Sequence, residues 1–414
     1  MISFNKQEPK VMSVIEQNKS RHKKAILRLL YFRNQLSAPE LSKIIGISLP
    51  TTLLVLQELT SDGLVNVKGT GVSTGGRKPA VYGLAEDSLY VIACDMGRFK
   101  AKMTIFNTLN QEVCPVRLIE THIDDDNLVP RLHEEAMDLV SIANIPLNRV
   151  IGLGIDMPGL VDSNEGINYT IKTAGFRNVR ERLEKAFGTY VYMDNDARIQ
   201  AFGEYIFGKA RSCKNAIIIN WSWGIGMGMV LNGELYGGNT GFAGEFSHIQ
   251  IAEDGGLCIC GKRGCLETVA SSNTIVNLAR QGIAENIVSQ LTACFSTHPE
   301  DLTPEDVIMA ARSGDEFSIF ILNKVGYALG KGLSVVIQLM NPEVIVVGGP
   351  VAKANQFVLT PIQQALNKYC LEKILANTSI VTSAIDEHSG LLGCAAMVYH
   401  HFFSYTPNGH YPGY

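Results

Sequence analysis

No stretch of this sequence is apolar over the roughly 20 residues that a membrane-spanning helix needs. The opening MISFNKQEPKVMSV also lacks the apolar core of a secretory signal. Both absences argue against membrane insertion and for a cytoplasmic protein, where thiols stay reduced. A paired set of cysteines is missing as well: the nine are odd in number and scattered, apart from three in CICGKRGC at 258–265. In a reducing compartment so tight a cluster points to a metal rather than a disulfide. Charged residues are only 18% of the 414, with a net charge of −4, yet they are unevenly spread. Residues 1–85 hold 12 Lys/Arg against 5 Asp/Glu, a balance of +7; the rest hold 24 against 35, or −11. A basic segment on an acidic body suggests an anionic partner for that segment, nucleic acid first, with a solvated basic helix as the alternative.

The basic segment has an order of its own. SRHKKAILRLLYFR (20–33) carries apolar residues at helical spacing, and SAPELSKII follows with Ser37 and Glu40 placed as a capping box. After Gly46, a further helix starts at Ser48 and stops at Gly63. LVNVKG and AVYGLA then read as strands joined by the basic, Gly-rich loop TGVSTGGRKP. This is the plan of a winged helix-turn-helix over residues 1–86, the alternative being a helical dimerisation module. It assigns Ser48, Thr51 and Thr52 to base edges and Arg77 and Lys78 to the DNA backbone or minor groove. Leu53 and Leu54 are odd in such a helix, where a basic residue would help hold phosphate.

From Leu89 the texture changes to strand, Gly turn, strand, Asn turn, strand. The plan recurs near residue 215: IACDMGRFKAKMTIFNTLNQ aligns with IIINWSWGIGMGMVLNGELY, placing Asp95 opposite Asn220. We read an internal duplication of a meander followed by helices and parallel strands. The expected lobes are 87–197, joined by a C-terminal helix at 388–404, and 198–387, with a ligand held between them. The tail 405–414 reads as disordered.

Two constellations carry chemistry. Cys258, Cys260 and Cys265 are three of the four ligands that a structural Zn²⁺ requires, and His248, ten residues upstream, is the nearest residue able to supply the fourth. Such a site, one per chain, is closed and structural; the alternative is a loop of free thiols. In YMDNDARIQAFGE a strand is expected to end at Met193, with Asp194–Asn195–Asp196 opening a helix. A carboxylate there can accept a hydroxyl proton or simply cap the helix. Glu245 and Glu267 flank the metal loop.

GFAGEFSH, CICGKRGCLETVAS, DNDARIQAFGE and NPEVIVVGG together resemble the ROK family of sugar-responsive repressors, open reading frames and sugar kinases, over residues 20–400. The front domain is similar to that of the repressor branch. The resemblance implies an α/β fold: a winged helix-turn-helix followed by a two-lobed, actin-like (ribonuclease H-like) sugar-kinase fold with a structural zinc site. It implies zinc on His248, Cys258, Cys260 and Cys265, and a sugar or sugar phosphate on Asn195, Asp196, Glu245, His248 and Glu267. Where the kinases carry Asp-x-Gly-Gly-Thr this chain has Asp95–Met96–Gly97–Arg98–Phe99, and where they carry Gly-Thr-Gly it has Ser222–Trp223–Gly224. A base at Asp196 without a phosphate cradle transfers no phosphoryl group. The expectation is therefore a non-enzymatic regulator, read as a repressor, binding an inverted-repeat operator as a homodimer or tetramer. The alternatives are an ATP-dependent sugar kinase with an appended DNA-binding domain, and a regulator whose effector is a protein.

Overall fold

The computed structural model describes residues 13–71, 78–173 and 177–404. Arg77 and the 405–414 tail lie outside the described residues. The chain packs as two compact units, Met1–Asp196 with Gly390–Tyr414, and Ala197–Ser389.

The first unit begins with helix α1 (Val14–Arg33), strand β1 (Gln35–Ser37), helices α2 (Ala38–Ile45) and α3 (Leu49–Ser61), and strands β2 (Val65–Thr70) and β3 (Ala80–Leu84). The strands form a sheet in the order β1-β3-β2. Strand β1 is only three residues long, too short to leave a periodic signal in the sequence. The Ser37 amide donates to the Glu40 carboxylate at 2.8 Å, closing the expected capping box. Ile26, Leu27, Leu30, Leu41, Val55, Leu56 and Leu59 are buried, and α1, α2 and α3 pack on one another.

A five-stranded sheet follows, built from β4 (Tyr90–Met96), β5 (Lys100–Asn107), β6 (Arg117–Glu120), β7 (Val150–Met157) and β10 (Val191–Asn195) in the order β10-β7-β4-β5-β6. The short pair β8 (Val161–Asp162) and β9 (Ile167–Asn168) lies between β7 and β10 in the chain. Alternate residues Ile92, Cys94, Met96, Leu153, Ile155, Met157, Val191 and Met193 share a core with α4 (Leu128–Ile142) and α5 (Val179–Phe187).

The second unit opens with α6 (Asp196–Phe207) and repeats the plan. Its strands β11 (Ala216–Trp221), β12 (Ile225–Leu231), β13 (Glu234–Leu235), β14 (Val344–Gly348) and β15 (Ser379–Thr382) run in the order β13-β12-β11-β14-β15. That order matches β6-β5-β4-β7-β10 position for position. The inner strands are again parallel, Asp95 lying opposite Asp156 in one sheet and Asn220 opposite Gly348 in the other. Helices α7 (Leu266–Ala270), α8 (Ser272–Ala284), α9 (Gln290–Phe295), α10 (Pro304–Arg312), α11 (Glu316–Met340), α12 (Gln356–Tyr369) and α13 (Glu372–Leu375) complete it. The expectation that no stretch reaches membrane-spanning length is corrected here: among the described helices α11 is long and apolar enough to cross a membrane, and 56% of that stretch is buried in the unit.

The last helix, α14 (Ser389–Ser404), returns to the first unit and covers the second face of its sheet. A Cβ on Gly154 would lie 2.5 Å from the Cys394 carbonyl oxygen, so only glycine lets helix and strand approach this closely. At its far end α14 meets α1, where the Tyr31 and Tyr399 rings are 4.8 Å apart.

Candidate functional site

The metal loop lies in the second unit. Phe246, one residue past Glu245, and Leu266, one past Cys265, are both buried against Gly332 of α11. The Lys331 ammonium donates to the Ile251 carbonyl at 2.7 Å. Leu266 N–H donates to Ile249 O at 2.9 Å, joining the two segments directly. The reversal between them depends on Gly264, whose φ is +71°. A Cβ there would fall 1.6 Å from the Ala252 carbonyl oxygen.

This backbone brings one ligand atom each from His248, Cys258, Cys260 and Cys265 within 4.8 Å of one another. His248 Nδ1 lies 3.5 Å from Cys258 Sγ, and Cys260 Sγ lies 3.6 Å from Cys265 Sγ. A four-coordinate ion with bonds of about 2.3 Å to sulfur and about 2.1 Å to nitrogen has tetrahedral edges of about 3.8 and 3.6 Å. Two edges already match such an ion, and the remaining ones, none longer than 4.8 Å, reach tetrahedral length by closing up to about 1 Å. The other ring nitrogen, His248 Nε2, faces Glu245 Oε2 at 3.8 Å. Partial burial raises the Glu245 carboxyl above its usual range, against the opposing pull of His248. The Glu267 carboxylate lies beside Gly224, in the turn between β11 and β12. Trp223, at the tip of that turn, is exposed.

In the first unit, Asn195 ends β10 and Asp196 begins α6. The strand thus runs two residues beyond the expected end at Met193. Asp194 belongs to it, fully buried, accepting from Tyr192 Oη at 3.0 Å and from Asn195 N at 2.8 Å. Asn195 Nδ2 donates to Gly159 O at 3.0 Å.

Asp194 belongs to a group that sequence reasoning misses. Asp95, Asp156 and Asp194 are register partners on β4, β7 and β10, a row of carboxyls on the face that α14 covers. Asp156 is fully buried; its Oδ1 accepts from Met96 N at 2.9 Å, and its Oδ2 converges with Asp95 Oδ2 on Gly390 at the start of α14. One signal points to it: a lone acid inside the apolar run VIGLGIDM. Burial first, then the neighbouring Asp95 and Asp196 charges, push the Asp156 carboxyl well above its usual range. Burial raises Asp95 too, with Lys102 opposing.

A raised carboxyl keeps its proton in the folded state at a pH where the unfolded chain has released it. Stability is therefore fully present below about pH 4 and declines as pH rises toward the folded value. Asp156→Asn keeps an acceptor for Met96 N and removes the charge. It is expected to raise the melting temperature by a few degrees at pH 8 and to change little near pH 4. Melting curves at both pH values check this; equal shifts would mean that no titration is involved.

Of the residues assigned to DNA, Ser48 caps α3, its hydroxyl accepting from Thr51 N at 3.3 Å. Thr51 is half-buried and bonded to Ser48 through its hydroxyl. Thr52 is fully buried and its hydroxyl donates to Ser48 O, so it faces the core and reaches no base. The 100° step per residue turns Thr52 inward when Pro50, Leu53 and Leu54 point out. Lys78 is exposed.

The repeated sheets, each a meander extended by parallel strands, and a Cys₃His loop in the second unit define a class: duplicated α/β proteins of the actin-like kinase fold. The model described as the ROK family matches residues 91–401, and this chain belongs to the ROK family. It is 32% identical to a glucokinase of Halalkalibacterium halodurans over 308 residues, covering 73% of this chain and 93% of that protein. It is 26% identical to a xylose repressor of Caldicellulosiruptor bescii over 387 residues, covering 91% and 95%. Among solved structures it superposes on a ROK family transcriptional regulator, a homolog of the E. coli MLC protein. The TM-score is 0.79 at 26% identity, covering 94% of this chain and 97% of that one.

Proposed function

We propose that this chain is a sugar-responsive, DNA-binding transcriptional regulator acting as a repressor of carbohydrate genes. The observation that carries the reading is coverage. The glucokinase match leaves about a quarter of this chain unaligned, whereas the xylose repressor match covers 91% of it. The family match begins at residue 91, leaving out the basic segment with its three helices and small sheet, which we read as a winged helix-turn-helix over residues 1–86. Ser48, Thr51, Arg77 and Lys78 remain its proposed contacts. Lobes over 87–197 with 388–404 and over 198–387 form the sensor.

The sugar or sugar phosphate is taken to contact Asn195, Asp196, Glu245, His248 and Glu267. The Cys₃His set is taken to hold one structural Zn²⁺, which fixes the segments bearing Glu245 and Glu267 and leaves His248 Nε2 free for a hydroxyl. A homodimer or tetramer on an inverted repeat follows from the pairing of recognition helices with half-sites. The sugar shifts DNA affinity only if the DNA-competent and DNA-incompetent states bind it unequally.

The test is anisotropy of a labelled duplex taken from upstream of the gene, at physiological salt, with a panel of sugars and sugar phosphates. We expect binding well above that of random duplex, and at least one sugar that shifts it about tenfold or more. No preference over random DNA would end the reading; preference without any sugar effect would leave a DNA-binding regulator whose effector is a protein.

A second reading has a specific observation behind it, the glucokinase identity together with Asp196 at the start of α6, just past the end of β10. In that case coupled ADP release with hexoses would be measurable and abolished by Asp196→Asn. We expect no turnover, since Arg98 and Trp223 occupy the turns where a kinase holds phosphates.

A further inference from the structure

We propose that α3 reads thymine methyl groups and adenine, through Leu53, Leu54 and Gln57, in place of the small hydroxyls that the sequence suggests. This rests on the DNA-binding reading above. At 100° per residue, Pro50, Leu53, Leu54 and Gln57 fall on one face of α3, and all four are exposed. Leu53 is 46% and Leu54 62% exposed, while Thr52, Val55, Leu56 and Leu59 on the opposite face are buried. The hydroxyls of Ser48, Thr51 and Thr52 are all engaged within the first turn of the helix. The outward face is therefore two leucines flanking one amide.

Charge favours DNA as the occupant of this face. Glu58 of α3 is paired with Lys19 at 2.6 Å and Lys23 at 3.2 Å, and Asp62 with Lys23 at 2.9 Å. The acids nearest the face are thus neutralised from α1, in a segment whose overall balance is +7. Lys43 on α2 and Lys68 on β2 are exposed and available to phosphates.

In the major groove the one apolar group on a base edge is the thymine 5-methyl. A leucine pair therefore discriminates only by that methyl, excluding water from it. Gln57 matches the adenine N6/N7 edge. Thymine and adenine are partners in the same base pair, so both side-chain types converge on A·T steps.

The experiment uses the full-length protein and duplexes it selects from a pool with a randomised core. Fixed thymines in the selected sequence are replaced one at a time by deoxyuridine, which removes only the methyl. We expect wild type to lose about fourfold in affinity at one or more positions in each half-site, the worth of one buried methyl. Leu54→Ala or Leu53→Ala is expected to bind thymine and deoxyuridine alike at that position with an unchanged melting temperature, and Gln57→Ala to relax the choice of adenine. Wild-type affinity indifferent to every deoxyuridine overturns the proposal while leaving DNA binding intact. So does a leucine variant that keeps both its affinity and its deoxyuridine sensitivity but changes its sedimenting mass, which makes the face a contact between proteins. Failure to enrich any sequence removes the DNA-binding reading and this proposal with it.

Discussion

Cys265→Ser is expected to lower bound metal from about one ion per chain to near none and to destabilise the second unit by on the order of 3 kcal/mol. For a unit of this size that is a melting shift of about 6–12 °C. The effect should be large because Cys265 is fully buried and does two jobs at once. It places its sulfur against Cys260 at 3.6 Å, and it is the N-cap residue of α7, which carries Glu267. In the proposed site the metal joins this residue to His248, so its loss leaves the segments bearing Glu245 and Glu267 held by the Leu266 N–H to Ile249 O bond without the cross-link. Serine at this position lacks the thiolate and leaves three ligands. Cys294→Ser is the control: that thiol is exposed and outside the cluster, and metal content should not change. Metal analysis of both variants after dialysis against a mild chelator, with melting curves, checks the expectation. A wild type that retains no zinc, or a Cys265→Ser protein as stable as wild type, would remove the metal from the account.

Local periodicity makes the duplication legible in the sequence. Buried strands of five to eight residues bounded by Gly or Asn turns leave a strong signal, and Asp95 and Asn220 do occupy equivalent penultimate positions in β4 and β11. The metal set is legible for a different reason, because three cysteines in eight residues leave few partners to choose from. What stays hidden depends on which residues a sheet brings side by side. Asp95, Asp156 and Asp194 are distant in the chain, and only strand order makes them a row. Thr52 fails for a reason of helical phase: a small polar residue reads as exposed, but burial here is set by the 100° step that also buries Val55 and Leu59.

Tyr399→Ala is expected to cost about 3–5 kcal/mol, the range for deleting a large buried aromatic side chain, and to weaken DNA binding with it. Tyr399 is fully buried; its hydroxyl donates to Leu89 O at 3.0 Å and its ring lies 4.8 Å from that of Tyr31 on α1. Tyr31 in turn donates to Asn110 Oδ1 at 2.5 Å, so α1 is tied to the five-stranded sheet's outer turn as well as to α14. Helix α14 has 16 residues, a rod of about 24 Å. One end of it rests on the Asp95–Asp156 pair and the other on the helix that carries the ion-paired side of α3. Arg28 of α1 adds a bond to His400 Nε2 at 3.1 Å. Burial holds His400 down to about 3 and His401 to about 4, so both are neutral in the folded state. A lowered histidine binds its proton in the unfolded chain first, so stability is present above about pH 6.5 and is lost as pH falls below it. Denaturant titrations should show Tyr399→Ala about 3–5 kcal/mol less stable at pH 7.5; in an Asp156→Asn background, where the opposing carboxyl is removed, lowering the pH to 5 should cost about 1–2 kcal/mol per histidine. Tyr31→Phe, which keeps the rings and drops one hydrogen bond, should lose only about 1 kcal/mol. If Tyr399→Ala stays within about 1 kcal/mol of wild type and binds DNA equally well, the aromatic joint does not hold α1 to the five-stranded sheet's unit.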